Sequence, residues 1–297
     1  MSNMTNIPDH FVTQFDANWS HLVQQKMSRL REFVRIDSIE GKEKVYNQLN
    51  TSAMSLITSR SGATTPTDIP TAKRYLRAQG YDTVAIFDEF DEVLLGNVVL
   101  PTSQTVESHA AAYARTLDQI LINALGGTAF TGDGTVGVSL PGSQQIAVNF
   151  VESGSVANSG LTLDKLRQTK YILDSNEVDE DDQRVIVVSA KQLQNLLRST
   201  QFTSRDWNDV QALVSGKIDT FLGFKFVRTE LLPVASNIRT CFAFAKSGVV
   251  LAEAGKEVKI DIRSDLRHSL QIRTKALLGG ARLEEKKVVS ILCDEAA

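Results

Sequence analysis

The sequence predicts a mixed α+β chain, and three observations carry that expectation. Residues 102–126 hold a helical apolar stripe, Val106, Ala110, Tyr113, Leu117, Ile120 and Ala124, at spacings of 4, 3, 4, 3 and 4. Strand-like runs lie on both sides of it, the clearest being R-V-I-V-V-S at 184–189. Residues 36–100 are polar and weakly patterned, with short apolar pieces separated by Ser, Thr, Pro and Gly.

A chain of 297 residues holds one large domain or two ordinary ones. It can bury roughly 75% of its unfolded surface, so neither disulfides nor a metal are needed to fold it. With 42% hydrophobic and 23% charged residues, a disordered, collagen-like or simple coiled-coil protein is excluded. Formal net charge is −3, which excludes a dedicated nucleic-acid binder and leaves only weak or local DNA contact. Cys241 and Cys293 read as small buried hydrophobes in strands, and a reducing compartment is expected. The start, M-S-N-M-T-N-I-P-D-H-F, lacks the basic region and apolar core of a signal peptide. The best apolar stretch, 93–100, is strand length and contains Gly96 and Asn97, so no membrane span and no membrane partner are expected.

In chain order, Phe11, Phe15, Trp19 and Leu22 follow helical spacing. They read either as an arm that docks on something else or as a first helix on the same domain. Residues 59–70 are a loop by composition, and 81–87 and 93–100 read as strands joined by the acidic turn Asp88, Glu89, Phe90, Asp91 and Glu92. The long helix follows Pro101, with Thr102 or Ser103 as cap, and ends at Gly126 and Gly127, where a left-handed glycine is expected. It would be roughly 35 Å long. Residues 127–160 are Gly/Ser-rich with strand-like pieces such as I-A-V-N-F. A second helix at 161–174, short helices at 190–200 and 207–215, and one strand at 220–229 follow. The tail carries strands at 240–245, 258–262, 270–278 and 288–293.

G-D-G-T-V-G at 132–137 matches the dinucleotide fingerprint by letter, with Glu152 at the right distance. The mechanism needs a strand before the glycines and a helix after them. Here a helix precedes, and Pro141 and Gly142 follow, so a flexible glycine loop is expected. The Gly-Lys pairs at 41–42, 216–217 and 255–256 precede neither Ser nor Thr. His10, His21, His109 and His268 share no metal-ligand spacing, no Gly-x-Ser-x-Gly elbow occurs, and the acidic run after Asp174 lacks the features of a calcium loop. A non-enzymatic structural protein with no cofactor and no metal is expected.

Two stretches carry a family resemblance: F-D-E-V-L-L-G-N-V-V-L-P-T-S-Q-T-V-E-S-H-A-A-A-Y-A-R-T-L-D-Q-I-L-I-N-A-L-G-G at 90–127, and G-K-I-D-T-F-L-G-F-K-F-V-R-T-E-L-L-P at 216–233. The first resembles an extended loop running into the spine helix of a tailed-bacteriophage major capsid protein, and the second a strand near its glycine-phenylalanine signature. The tail, L-Q-I-R-T-K-A-L-L-G-G-A-R-L-E-E-K-K-V-V-S-I-L, resembles its paired final strands. The resemblance implies a Hong Kong 97-type capsid fold. Its parts would be an N-terminal arm at 1–35, an extended loop with flanking peripheral-domain strands at 36–100, and the spine helix with peripheral domain at 101–150. An axial domain at 151–255 and a return to the peripheral domain at 256–297 would complete it.

The same resemblance implies the function: self-assembly into the icosahedral shell enclosing the phage genome. The implied partners are copies of itself in hexamers and pentamers, a separate scaffolding protein, a portal protein, decoration proteins, and packaged double-stranded DNA held by weak non-specific contact. The implied location is the virion capsid, with the host cytoplasm during assembly. No motif assigns a covalent cross-link. An encapsulin-type compartment shell and, more remotely, a soluble nucleotide-binding α/β enzyme are the rival readings.

A thin excursion cannot bury its own apolar residues, so Tyr46, Leu49, Tyr75, Leu76 and Tyr81 are expected as anchors between subunits. Lys73, Arg74 and Arg77 are expected to meet acidic groups of an adjacent subunit, and Asp88, Glu89, Asp91 and Glu92 are acidic candidates for such contacts.

Overall fold

The structure is a computed structural model, and it describes residues 24–54, 56–57, 60, 62–63, 66, 68–88, 102–154, 157–198, 220–266 and 268–296. The Phe11–Leu22 stripe, Glu89, Asp91, Glu92, the 93–100 strand, the 207–215 helix and the Thr102 and Ser103 side chains lie outside the described residues. The chain divides into two compact units, one of residues 29–79, 117–254 and 278–297, the other of 1–28, 80–116 and 255–277.

The larger unit is built on a seven-stranded mixed sheet. Its strands are β7 (Gln145–Ile146), β8 (Arg184–Val188), β9 (Thr220–Phe221), β10 (Phe224–Arg228), β11 (Val234–Ala235), β12 (Ile238–Ala245) and β15 (Val288–Asp294). The order is β7-β15-β12-β8-β10-β9, with β11 paired to β12. Every residue of β8 is buried, as its β-branched run R-V-I-V-V dictates for a strand covered on both faces. β8 and β10 run parallel, Arg184 beside Phe224 and Val188 beside Arg228, and the helix Ala190–Arg198 lies in the crossover between them. The helix Leu163–Ser175 packs on β15 and β7. Its Thr162 cap accepts a hydrogen bond from the Lys165 amide.

A second sheet of this unit joins β2 (Glu43–Leu49), β3 (Thr71–Arg77), β5 (Ala129–Thr131) and β6 (Val136–Val138) in that order. This corrects the reading of residues 36–79 as a thin excursion. β3 is paired on both sides, to β2 and to β5, and Leu76 and Ala78 are core residues of their own chain. A third pairing sets β1 (Arg35–Ser38) parallel to Val250–Glu253. In the smaller unit, β4 (Gln79–Phe87) and the distal parts of β13 (Val249–Arg263) and β14 (Ser269–Arg282) make a ribbon in the order β13-β14-β4. Both long strands extend well beyond the expected 258–262 and 270–278.

The long helix runs over Thr102–Gly126, as its periodicity predicts. Its buried face is not the expected stripe. Ala111, Ala114, Leu117, Leu121, Ile122 and Leu125 are buried, while Ala110 is exposed and Ile120 and Ala124 are half-buried. Polar Asp118 shares the buried face because it accepts hydrogen bonds from the Arg29 and Leu30 amides at 3.0 and 3.2 Å. The helix end also differs from expectation: neither Gly126 nor Gly127 takes a left-handed φ. Close approach explains them instead. A Cβ on Gly126 would meet the Phe242 ring at 2.8 Å, and one on Gly127 the Asn123 carbonyl oxygen at 2.5 Å.

Residues 220–229 are not one strand. Leu222 (φ 53°) and Gly223 (φ 84°) form a two-residue turn that folds β9 back on β10. In I-A-V-N-F only Ile146 belongs to a strand. The fingerprint-like G-D-G-T-V-G closes the β5–β6 hairpin, with Gly132 and Gly134 at φ 66° and 79°. The glycine-loop expectation therefore stands.

Candidate assembly surfaces

The basic run of β3 is engaged within its own chain. Arg74 is buried; its Nη2 pairs with Glu285 at 2.9 Å and its Nε donates to the Leu283 carbonyl at 3.1 Å. Arg77 pairs with Glu43 at 2.9 Å, donates to the Gly134 carbonyl at 2.7 Å and lies over the Phe130 ring. A guanidinium placed at a packed sheet requires such partners, because an unpaired buried charge is too costly. Leu76 is fully buried beside them. These placements correct the expectation that Arg74 and Leu76 reach outward, since both are interior to the subunit's own sheet, whereas Arg77 is 41% exposed despite its partners and stays a contact candidate.

Other candidates lie at the surface or partly so. Tyr46 is half-buried and donates its hydroxyl to Asp37 at 2.8 Å, with Arg35 and Lys44 near its ring. Burial and the Asp37 bond push the phenol up; Asp37 is held below the usual carboxylate range, its own burial outweighed by the Tyr46 bond and the Arg35 and Lys44 charges. Tyr75 is half-buried opposite Phe130. Lys73 is exposed, Asp88 half-buried, and Tyr81 exposed on β4.

Leu49 is 75% exposed, and sequence reasoning missed its continuation. Met54, Leu56 and Ile57, in the loop that follows β2, are 103%, 87% and 88% exposed. Their signal was the apolar M-S-L-I at 54–57, just before the 59–70 loop, in an otherwise polar and weakly patterned stretch. Val258, Ile260 and Ile262 on β13 are exposed as well. Three full-size apolar side chains in solvent on one loop, next to exposed Leu49, are a surface that waits for a covering.

Among the described residues no group of three or more His, Cys, Asp and Glu could hold a metal ion, and no helix is long and apolar enough to cross a membrane. A groove of about 450 Å³ in the smaller unit is lined by Tyr81, Asp82, Arg273 and Lys275. Its charged side chains are paired, Arg273 with Asp82 at 2.9 Å and Lys275 with Glu257 at 2.8 Å. A groove of about 620 Å³ in the larger unit lies along Gly126, Gly127, Leu140, Phe242 and Leu292 and carries no ionisable side chain. His109 bonds Thr274 at 3.3 Å within the smaller unit.

The fold is mixed, and full-size apolar residues are displayed on a loop and on a ribbon. The chain belongs to the phage capsid protein family, whose model matches residues 7–295. No curated protein matches it. Among solved structures it is similar to the capsid of the cyanophage P-SCSP1u, at 18% identity and TM-score 0.71, covering 95% of this chain and 93% of that one. It is similar to a chain of the Mycobacterium phage Che8 at 18% identity and TM-score 0.69, with 98% of each covered. It is also similar to the capsid of Ralstonia phage GP4, at 10% identity and TM-score 0.73, over 99% and 98%. The fold is the Hong Kong 97 type that the sequence resembles, and the function is that of a major capsid protein, self-associating into the head shell of a virion.

Proposed function

We propose that this chain assembles as hexamers and pentamers into an icosahedral shell around packaged double-stranded DNA, and that the loop between β2 and β3 is one of the surfaces by which neighbours hold each other. The observation that carries this reading is the exposure of Leu49 at the end of β2 and of Met54, Leu56 and Ile57 on the loop that follows it. Permanent assemblies bury roughly 2,000–5,000 Å² per interface, and a loop of this kind supplies apolar area to such a contact. Tyr81 and Lys73 are further contact candidates. The role is architectural, with no catalytic step and no cofactor. Arm, spine helix, axial domain and peripheral domain are proposed with the boundaries expected from the sequence, and the extended loop proper narrows to the segment between β2 and β3. A separate scaffolding protein, a portal and decoration proteins are the remaining partners. Assembly takes place in the host cytoplasm, and contact with DNA is weak, in keeping with a net charge of −3.

The test replaces residues 51–69 with a short turn that keeps β2 paired to β3. A wider deletion would remove Leu76 from the core and confuse folding with assembly. Circular dichroism should be preserved and closed shells lost. Normal shells from this variant would contradict the proposal.

A further inference from the structure

Beyond Glu253, β13 has an edge that no strand among the described residues covers. β1 covers that edge only along Val250–Glu253. Gly255 takes a left-handed φ of 59°, and from there to Arg263 no strand lies on the side away from β14, among the described residues. Exposed edges of regular strands pair readily with other chains, and proteins that avoid this place charges, prolines or bulges along them. Residues 256–263 read K-E-V-K-I-D-I-R. There is no proline, and the charges alternate in sign along one face: Glu257, Lys259, Asp261, Arg263. The opposite face carries Val258, Ile260 and Ile262, each exposed, with Ile260 at 56%.

That pattern is its own antiparallel complement. With Ile260 as centre, Glu257 falls opposite Arg263 and Lys259 opposite Asp261. On the other face Val258 falls opposite Ile262, and Ile260 opposite itself. A shift of one residue in either direction would set a charged residue against an apolar one. We propose that β13 of one subunit joins β13 of a second copy edge to edge, antiparallel, about a two-fold axis at Ile260. Such a contact is isologous: each residue of one strand meets its partner, and the partner meets it in return. Main-chain hydrogen bonds extend the ribbon across both copies, the apolar residues of the two strands cover one another, and four charge pairs line the other face. The present pairing of Glu257 with Lys259 and Lys275, and of Arg263 with Asp265, is among exposed side chains and leaves them able to turn to the second copy. The inference rests on the shell reading and deepens it, since a closed shell of copies needs contacts by which equivalent subunits meet.

The experiment places single cysteines on β13 and oxidises purified particles with diamide. Cys241 and Cys293 are fully buried and do not compete. Ile260→Cys should give a disulfide-linked dimer on a non-reducing gel. Val258→Cys alone should stay monomeric, because its equivalent in the second copy lies four positions along the strand. Adding Ile262→Cys to Val258→Cys should restore the dimer. In parallel, Glu257→Arg should lower particle yield, and Glu257→Arg with Arg263→Glu should recover it. Particles visible by microscopy without an Ile260→Cys dimer, or with equal dimer from Val258→Cys, would overturn the pairing while leaving the shell intact. Absence of any particles would overturn the shell reading and the pairing with it.

Discussion

The Lys165 ammonium donates a hydrogen bond to the Leu292 carbonyl at 2.9 Å, joining the helix Leu163–Ser175 to β15 with no solvent exposure of the lysine. The same nitrogen reaches the carbonyls of Val148 and Ser159 at 2.8 Å and of Gly160 at 3.0 Å. Four main-chain acceptors surround one cation, so Val148, Ser159 and Gly160 are held to helix and sheet through a single side chain. Burial pushes the ammonium's pKa down, and the four acceptors favour keeping it charged.

Lys165→Met keeps most of the apolar length and removes every donor. Buried acceptors left unmade cost about 1–3 kcal/mol each, and partial rescue by water reduces the sum. The expected loss is about 3–5 kcal/mol in denaturant unfolding of the unassembled subunit. A loss under about 1 kcal/mol would mean that the carbonyls find other donors.

Arg282 poses a related case. It is fully buried and donates to the carbonyls of Leu125, Gly127 and Val138 at 2.7, 2.9 and 3.1 Å, tying the end of the long helix to β6. Glu285 lies between it and Arg74, 3.7 and 2.9 Å away. One carboxylate thus serves two buried guanidiniums. Glu285→Gln should destabilise the subunit by about 3 kcal/mol, because both cations stay behind unneutralised. Thermal unfolding of the variant checks it, and an unchanged midpoint would show the two arginines to be satisfied by carbonyls alone.

The long helix tests which face is buried. Leu121→Ala should cost about 2–5 kcal/mol, as much as Leu117→Ala, although only Leu117 lies on the stripe the sequence suggests. Ile120→Ala, at a half-buried position, should cost clearly less. Equal losses at Ile120 and Leu121 would restore the sequence stripe.

The chain wrote some of this plainly and some not at all. The helix over Thr102–Gly126 and the buried strand Arg184–Val188 follow from periodicity and β-branching, which are local signals. The face of the helix was misjudged because Asp118 is polar yet buried. Its reason for being there, the amides of Arg29 and Leu30, lies 88 residues away or more along the chain. The β2–β3 pairing was missed for a similar reason: the strands are separated by a long polar loop, and β3 is secured by β5, which follows the helix. Of the contact candidates, Leu49 and Tyr81 remain at the surface, while Arg74 and Leu76 are interior. A basic-apolar run such as K-R-Y-L-R does not reveal whether its charges face solvent or a glutamate distant in sequence.

His109 gives the smaller unit a pH dependence. Its ring is buried on the long helix against Thr274, and burial lowers its pKa from the ordinary 6.5. A base depressed in the folded state binds its proton more readily when unfolded, so stability is complete above about 6.5 and falls as pH drops below that value. Unfolding measured from pH 7.5 to 5 should show this slope, and His109→Gln should flatten it. An equal slope in the variant would assign the effect to carboxylates.

Closure of this chain into a shell is tested most directly by negative-stain microscopy of the purified protein, combined with light scattering of the same sample. Closed or strongly curved particles of multi-subunit mass are expected, and the variant lacking residues 51–69 should give none of them. A uniform species of 32.6 kDa that stays monomeric at every concentration and forms no particle would contradict it.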